Sequence, residues 1–324
     1  MGAGFLITRR GFWEAAFRIA VFGRAASSLS QAASFDNDGP AVLSPASASK
    51  VQFRRYRVQA TVSLFSIPVI GKDGVGAAGL LLEEASAGST CTTAVQFVSG
   101  SWPERIKGFN RFGMTQEVVR EEGGAIRESG YLSFMTSSPE KNSDQAWQAF
   151  ADHPRILTLA VACGLASAES YRWALEHKTV PVEATWMDCP SLMERFRSQD
   201  MALREGALPD GPGQENIYPT FLFSVRKAIL QRAKGRSTFI HNAKLYDLHT
   251  HFSRADGGDL LTGQIVEHGS SNQSEFRVWL DPDDAAALPS KIEFRPKSFL
   301  RLTFHLDPTA GGPSVRRLIP QKEA

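Results

Sequence analysis

From residue 50 onward the chain alternates polar and apolar positions with a period of two. Tyr56, Val58, Ala60, Val62 and Leu64 fall on one side, and Arg55, Arg57, Gln59, Thr61 and Ser63 on the other. Successive side chains of a strand point to opposite faces, so this pattern predicts a strand of an antiparallel sheet with one buried and one polar face. Residues 75–84, 92–99, 114–121 and 126–136 read the same way. The segments between them carry turn chemistry: Gly71-Lys72-Asp73-Gly74, Ser99-Gly100-Ser101-Trp102-Pro103 and Gly123-Gly124, the last predicting a hairpin. The C-terminal third returns to alternation. Tyr246, Leu248, Thr250 and Phe252 share a face, as do Phe276, Val278 and Leu280, and Leu300, Leu302, Phe304 and Leu306.

The middle of the chain is mixed. Ser143 to Ala151 reads as a short helix capped by Ser143. Ile156 to Glu169 is an apolar run that its length assigns to a helix, and Tyr171 to Trp186 is strand-like. Ser191-Leu192-Met193-Glu194 has capping-box spacing and opens a helix to about Gln199. Leu203 to Pro219 is a Gly- and Pro-rich loop. Thr220 is the expected cap of a helix over 221–234, with Leu222, Val225 and Ile229 on one side, Arg232 and Lys234 in its last turn and Gly235 as its stop.

Many strands and few helices predict a mainly β (α+β) fold. A large curved antiparallel sheet would close into a barrel or half-barrel, because a long sheet curls and closure removes its exposed edges. Helices would flank or plug it, the helix at 221–234 among them in either role. The expected organisation is a leader over 1–35, a linker over 36–50 and one barrel-like domain over 51–310. Helical insertions fall around 143–169 and 191–234, and a tail over 311–324.

Composition adds little against this picture and excludes some classes. With 42% hydrophobic and 22% charged residues the chain is an ordinary globular one. No stretch is apolar for long enough to form a transmembrane helix. The net charge of +2 is uneven. Residues 1–35 carry Arg9, Arg10, Arg18 and Arg24 against Glu14, a net +3, which leaves −1 for the body. A near-neutral body without a Lys/Arg stripe gives no reason to expect nucleic acid as a partner. Cys91, Cys163 and Cys189 are widely spaced, form no CxxC and read as packing residues, a catalytic thiol or, in an exported protein, one disulfide being the alternatives.

The leader places Thr8-Arg9-Arg10-Gly11-Phe12-Trp13 before a partly apolar segment, with Ser30-Gln31-Ala32 as a small-x-small site. This resembles a twin-arginine export signal, although Glu14, Arg18 and Arg24 interrupt the apolar segment. An Arg-rich, acid-poor transit peptide and an uncleaved leader are the other two readings.

The ordered segments of the last hundred residues resemble a family of uncharacterised bacterial exported proteins, a domain of unknown function. The segments are Thr220 to Arg226, Lys244 to Leu248, Phe276 to Asp281 and Leu288 to Phe294, followed by a closing apolar strand. The likeness covers 219–307, with a looser match over 50–136. It implies a periplasmic or envelope antiparallel β-protein with no assigned catalytic residues.

One motif tempts an enzymatic reading. Asp247-Leu248-His249-Thr250-His251 puts Asp247, His249 and His251 on one strand face, the two histidines about 7 Å apart. It resembles the metal-binding HxH of amidohydrolases. Those enzymes are parallel barrels that carry the motif early, whereas antiparallel strands surround it here. A solvated strand face is the plainer reading, and a metal site would recruit His268 or His305. No nucleophile elbow or phosphate loop is present, and Glu83-Glu84 and Glu121-Glu122 read as solvated edge charges. Trp102 and Phe109 form an aromatic turn region that could rim a ligand site. Arg277 and Arg301 lie on the non-core faces, in a lumen or on the surface.

The sequence therefore predicts a non-enzymatic envelope β-barrel-like protein that requires no cofactor. An apolar or amphipathic small molecule, lipid among them, or a protein partner would bind its concave face. A metal-dependent hydrolase using Asp247, His249 and His251, or a structural assembly module, is the alternative.

Overall fold

The computed structural model describes residues 48–64, 67–106, 111–137, 142, 145, 155–164, 168–179, 218–241, 244–255, 258–270, 273–297 and 299–311. The expected leader, the helix at 191–199, and most of the helix at 143–151, the linker and the tail lie outside the described residues.

Thirteen strands form one sheet. The first arm is β1 (Ala48–Leu64), β2 (Ile67–Ala87), β3 (Thr90–Ser101), β4 (Arg111–Glu122), β5 (Ala125–Ser137), β6 (Arg155–Gly164) and β7 (Ala168–Thr179). The second arm is β8 (Gly235–His241), β9 (Lys244–Ala255), β10 (Gly258–Glu267), β11 (Gln273–Leu280), β12 (Pro289–Lys297) and β13 (Leu300–Leu306). The spatial order is β7-β6-β5-β4-β3-β2-β1-β13-β12-β11-β10-β9-β8. Each arm is a meander, and the β1–β13 ladder joins them, pairing Tyr56 with Leu306 through Val62 with Leu300. Among the described residues one α-helix, α1 (Phe221–Gln231), precedes β8.

Every neighbouring pair is antiparallel. Twelve ladders separate β7 from β8, and an even number of reversals leaves those two strands pointing the same way. They cannot close the sheet by antiparallel pairing.

The sheet is nevertheless rolled. α1 packs against β3 and β4 and also against β8 and β9. Eight ladder steps separate β4 from β9, about 38 Å in a flat sheet, whereas a helix with its side chains is about 10–12 Å across. Only a curled sheet brings both arms to one helix. Among the described residues the concave face holds two apolar clusters. Tyr56, Leu80, Leu82, Val95, Leu302 and Phe304 belong to one, and Phe239, Leu248, Leu261, Phe276 and Val278 to the other. The Tyr56 hydroxyl donates to the Pro289 carbonyl at 2.8 Å from within the first cluster, and burial raises its pKa.

Several local expectations are corrected. Residues 155–164 form strand β6 rather than a helix, because its backbone pairs with β5 on one side and β7 on the other. A continuous apolar run fits an interior strand as well as a buried helix. Residues 48–50 belong to β1 and not to a linker. Gly71 to Gly74 is no turn: β2 runs through it with a bulge, where Val58 pairs with Gly76 but Ala60 with Lys72, and Gly74 takes φ +59°. The Gly123-Gly124 hairpin is present, both residues at positive φ. Helix α1 ends at Gln231, and Arg232 at φ 50° supplies the left-handed cap expected of Gly235, which instead begins β8.

Candidate functional site

The concavity that α1 fills is the most chemically distinctive place in the described residues. The helix begins after Thr220, whose side chain makes no capping hydrogen bond. The cap comes from the sheet. Glu117 of β4 accepts the Phe223 N–H at 3.0 Å, and the Leu222 and Phe221 amides face the same carboxyl. Alternation puts Glu117 on the inner face of β4, opposite Val95 of β3. Glu117 is fully buried, and this desolvation pushes its pKa from 4.5 up to about 7 against the opposing pull of those hydrogen bonds.

Three further acidic residues meet the helix. Arg226 is buried; its Nε and Nη2 reach Glu84 Oε1 of β2 at 3.2 and 3.1 Å. Its Nη1 donates to the carbonyls of Ala286 and Ala287 at 2.8 and 3.2 Å. Lys227 Nζ lies 3.1 Å from Glu121 Oε1 of β4. Arg232 lies 3.2 Å from the buried Asp259 of β10, which Arg254 also approaches at 3.8 Å. The helix's apolar residues divide between the arms. Leu222 packs on the first cluster, while Phe221, Val225, Ala228 and Ile229 pack on the second. Phe221 sets its ring 5.1 Å from Phe239 and edge-on to Phe276 at 5.9 Å. The expected stripe of Leu222, Val225 and Ile229 is thus shared between two surfaces.

Glu83, Glu84 and Glu121 are not solvated edge charges: Glu83 is fully buried, and the other two pair with helix cations. Sequence reasoning missed Glu117 and Glu84. The available signal was their phase, since Glu84 follows Leu80 and Leu82 on one face of β2.

The predicted metal residues lie on the opposite, outer face. Asp247 Oδ2 takes Arg236 at 2.7 Å, and Oδ1 takes the Thr238 hydroxyl at 2.9 Å and His268 Nε2 at 3.0 Å. Burial works against ionisation there, but the hydrogen bonds from His268, Arg236 and Thr238 outweigh it and hold the carboxyl at about 2. His249 and His251 are exposed, opposite Gln264 and Thr262 of β10. His305 faces Gln59 at 3.3 Å, and its pKa is lowered by burial and then by Lys291. Among the described residues no three His, Cys, Asp or Glu side chains are grouped closely enough to hold a metal ion.

The predicted ligand residues are dispersed. Trp102 is half-buried beside the β2 bulge, its backbone N–H donating to the Val75 carbonyl at 2.9 Å and the Arg105 guanidinium over its ring at 5.3 Å. Phe109 lies outside the described residues. Arg277, opposite Glu293, and Arg301, opposite Thr61, point away from α1, because their strand neighbours Phe276, Val278, Leu300 and Leu302 form the inner clusters.

No helix of the described residues is long and apolar enough to cross a membrane. No family model matches the sequence, and no curated protein matches it. Among solved structures the chain is similar to a β-barrel-like protein of domain of unknown function DUF1849 from Brucella abortus. The likeness is 7% identical, covers 79% of this chain and 95% of that one, and has a TM-score of 0.41.

Proposed function

We propose that the protein is a non-enzymatic binding protein of the cell envelope, exported through the Arg9-Arg10 leader, whose rolled sheet receives an apolar or amphipathic ligand on its concave face. One observation carries this reading: two apolar clusters on that face are bridged by the short helix α1, held at its rim by charge pairs. An eleven-residue helix has little stability of its own, so the plug keeps its shape by being docked. A ligand that offers equivalent contacts would compete with it.

Native mass spectrometry of protein purified from its own host without detergent tests the reading. A retained adduct of lipid or peptide size is expected. A bare polypeptide mass, together with no binding of a neutral fluorescent probe such as N-phenylnaphthylamine, would refute it. Export is tested separately: Arg9→Lys with Arg10→Lys should leave the protein in the cytoplasm, and unchanged fractionation would refute the leader's role.

A further inference from the structure

The helix in the concavity also describes what the concavity selects. Three strands contribute carboxylates to the helix: Glu84 from β2, Glu117 and Glu121 from β4, and Asp259 from β10. Each meets α1 in a different way. Glu84 and Glu121 take the adjacent cations Arg226 and Lys227, Asp259 takes the cation after the last turn, and Glu117 takes a backbone N–H of the first turn. Glu117 and Asp259 are almost fully buried.

A neutral hydrocarbon chain that displaced α1 would cover the aromatic floor of Phe239 and Phe276. It would leave the buried Glu117 and Asp259 without their helix partners, a penalty for unpaired buried polar groups, and Glu84 and Glu121, which are 26% and 21% exposed, without their cations. A cationic amphipath would answer Glu84, Glu121 and Asp259. Only the N-terminal end of a helix brings free backbone N–H groups to Glu117.

We propose that the ligand of this concavity is a basic amphipathic helix of a partner protein, and that α1 occupies the site as an intramolecular stand-in. This rests on the binding reading above and narrows its ligand class. The recognised pattern is the one α1 shows: aromatic residues in the first turn, an adjacent pair of cations three residues later, and apolar residues on the side facing β8 and β9.

The test uses the full chain carrying Arg226→Glu and Lys227→Glu, which sets like charges against Glu84 and Glu121 and loosens α1. Circular dichroism and a cooperative melt establish that it folds. If it does not, Lys227→Glu alone serves, since Lys227 is half-exposed and its loss strands little. The ligand is a fluorescein-labelled designed helix that keeps the residues of positions 221, 223, 225, 226, 227 and 229 and is otherwise alanine and glutamine. Its comparison is the same peptide with both cations replaced by glutamate. The basic peptide should bind at least tenfold more tightly than the acidic one and raise the variant's melting temperature. Equal binding of the two peptides would overturn the proposal, as would binding of dodecylammonium without the peptide, which would indicate a charged lipid-like ligand. N-phenylnaphthylamine binding separates the levels. If the probe binds and the basic peptide does not, the narrower inference fails and the general reading stands. If neither binds, both fail.

Discussion

Replacing Glu117 by glutamine should remove a segment of the protein's pH dependence. In the folded chain this carboxyl keeps its proton up to about pH 7, against an ordinary 4.5. Between those values the native state binds more protons than the unfolded chain, so stability falls as pH rises through the window. The gap between 4.5 and about 7 corresponds to about 3 kcal/mol. The glutamine amide oxygen could still accept the Phe223 N–H, which lies 3.0 Å from the native carboxyl, but the amide does not titrate. Urea unfolding followed by tryptophan fluorescence at pH 5, 6, 7 and 8 reads the difference. The variant should match the native protein within about 1 kcal/mol at pH 5 and exceed it by about 2–3 kcal/mol at pH 8. His305 works in the opposite direction, because a lowered histidine pKa adds stability as pH rises toward 6.5, but it is common to both proteins and cancels. Asp247 acts lower, between about 2 and its ordinary 3.8, where stability is lost as pH falls. Parallel curves across pH 5–8 would refute the argument. A variant that is relatively weaker at pH 8 would mean that the helix N-terminus stabilises the charged form more than burial opposes it.

Arg226→Met should cost about 1–3 kcal/mol, chiefly from the two carbonyls left unpaired, since Glu84 is partly exposed and can be hydrated; a melting temperature equal to the native one would contradict this. Gly263→Ala should cost about 1–3 kcal/mol by overpacking, because its methyl would run into the Phe276 ring directly opposite, and an unchanged urea midpoint would refute that contact. At position 232, glycine should be more stable than alanine by about 1 kcal/mol, since only alanine retains the strain of left-handed backbone; equal midpoints would count against the cap. Zinc titrated calorimetrically should bind no more tightly than micromolar, because Asp247 is held by Arg236, Thr238 and His268, and tighter binding abolished by His249→Ala would revive the metal reading.

Most strands of the first arm, and β9, β11 and β13 of the second, were legible because each carries its own signal, whereas β8, β10 and β12 went unread. Tyr56, Val58 and Ala60 declare a buried face whatever they pair with, and Gly123-Gly124 declares its hairpin by the backbone it permits. The run from Ile156 to Cys163 declares nothing of the kind: apolar on both sides, it becomes a strand only because β5 and β7 lie on either edge. Thr220 shows a second limit. A threonine before an apolar run is a good local cap, yet Glu117, more than a hundred residues away, takes the amide. The acidic lining was hidden for the same reason. Glu84 and Glu121 read as surface charge until the sheet rolls and sets them against Arg226 and Lys227, and no local window contains both partners.

α1 leads within a few residues into β8, so it lies against one face of the sheet or the other. On the inner face it meets Glu84, Glu117, Glu121 and the aromatic floor of Phe239 and Phe276, all of which Phe221, Arg226 and Lys227 complement. On the outer face near β8 and β9 it would meet Arg236, His249 and Asp247, the last already engaged by Arg236, Thr238 and His268. The charge of the helix therefore selects the concave side, and in doing so seats a short basic helix between the two apolar clusters of the curled sheet. The same complementarity would govern any helix that replaced it.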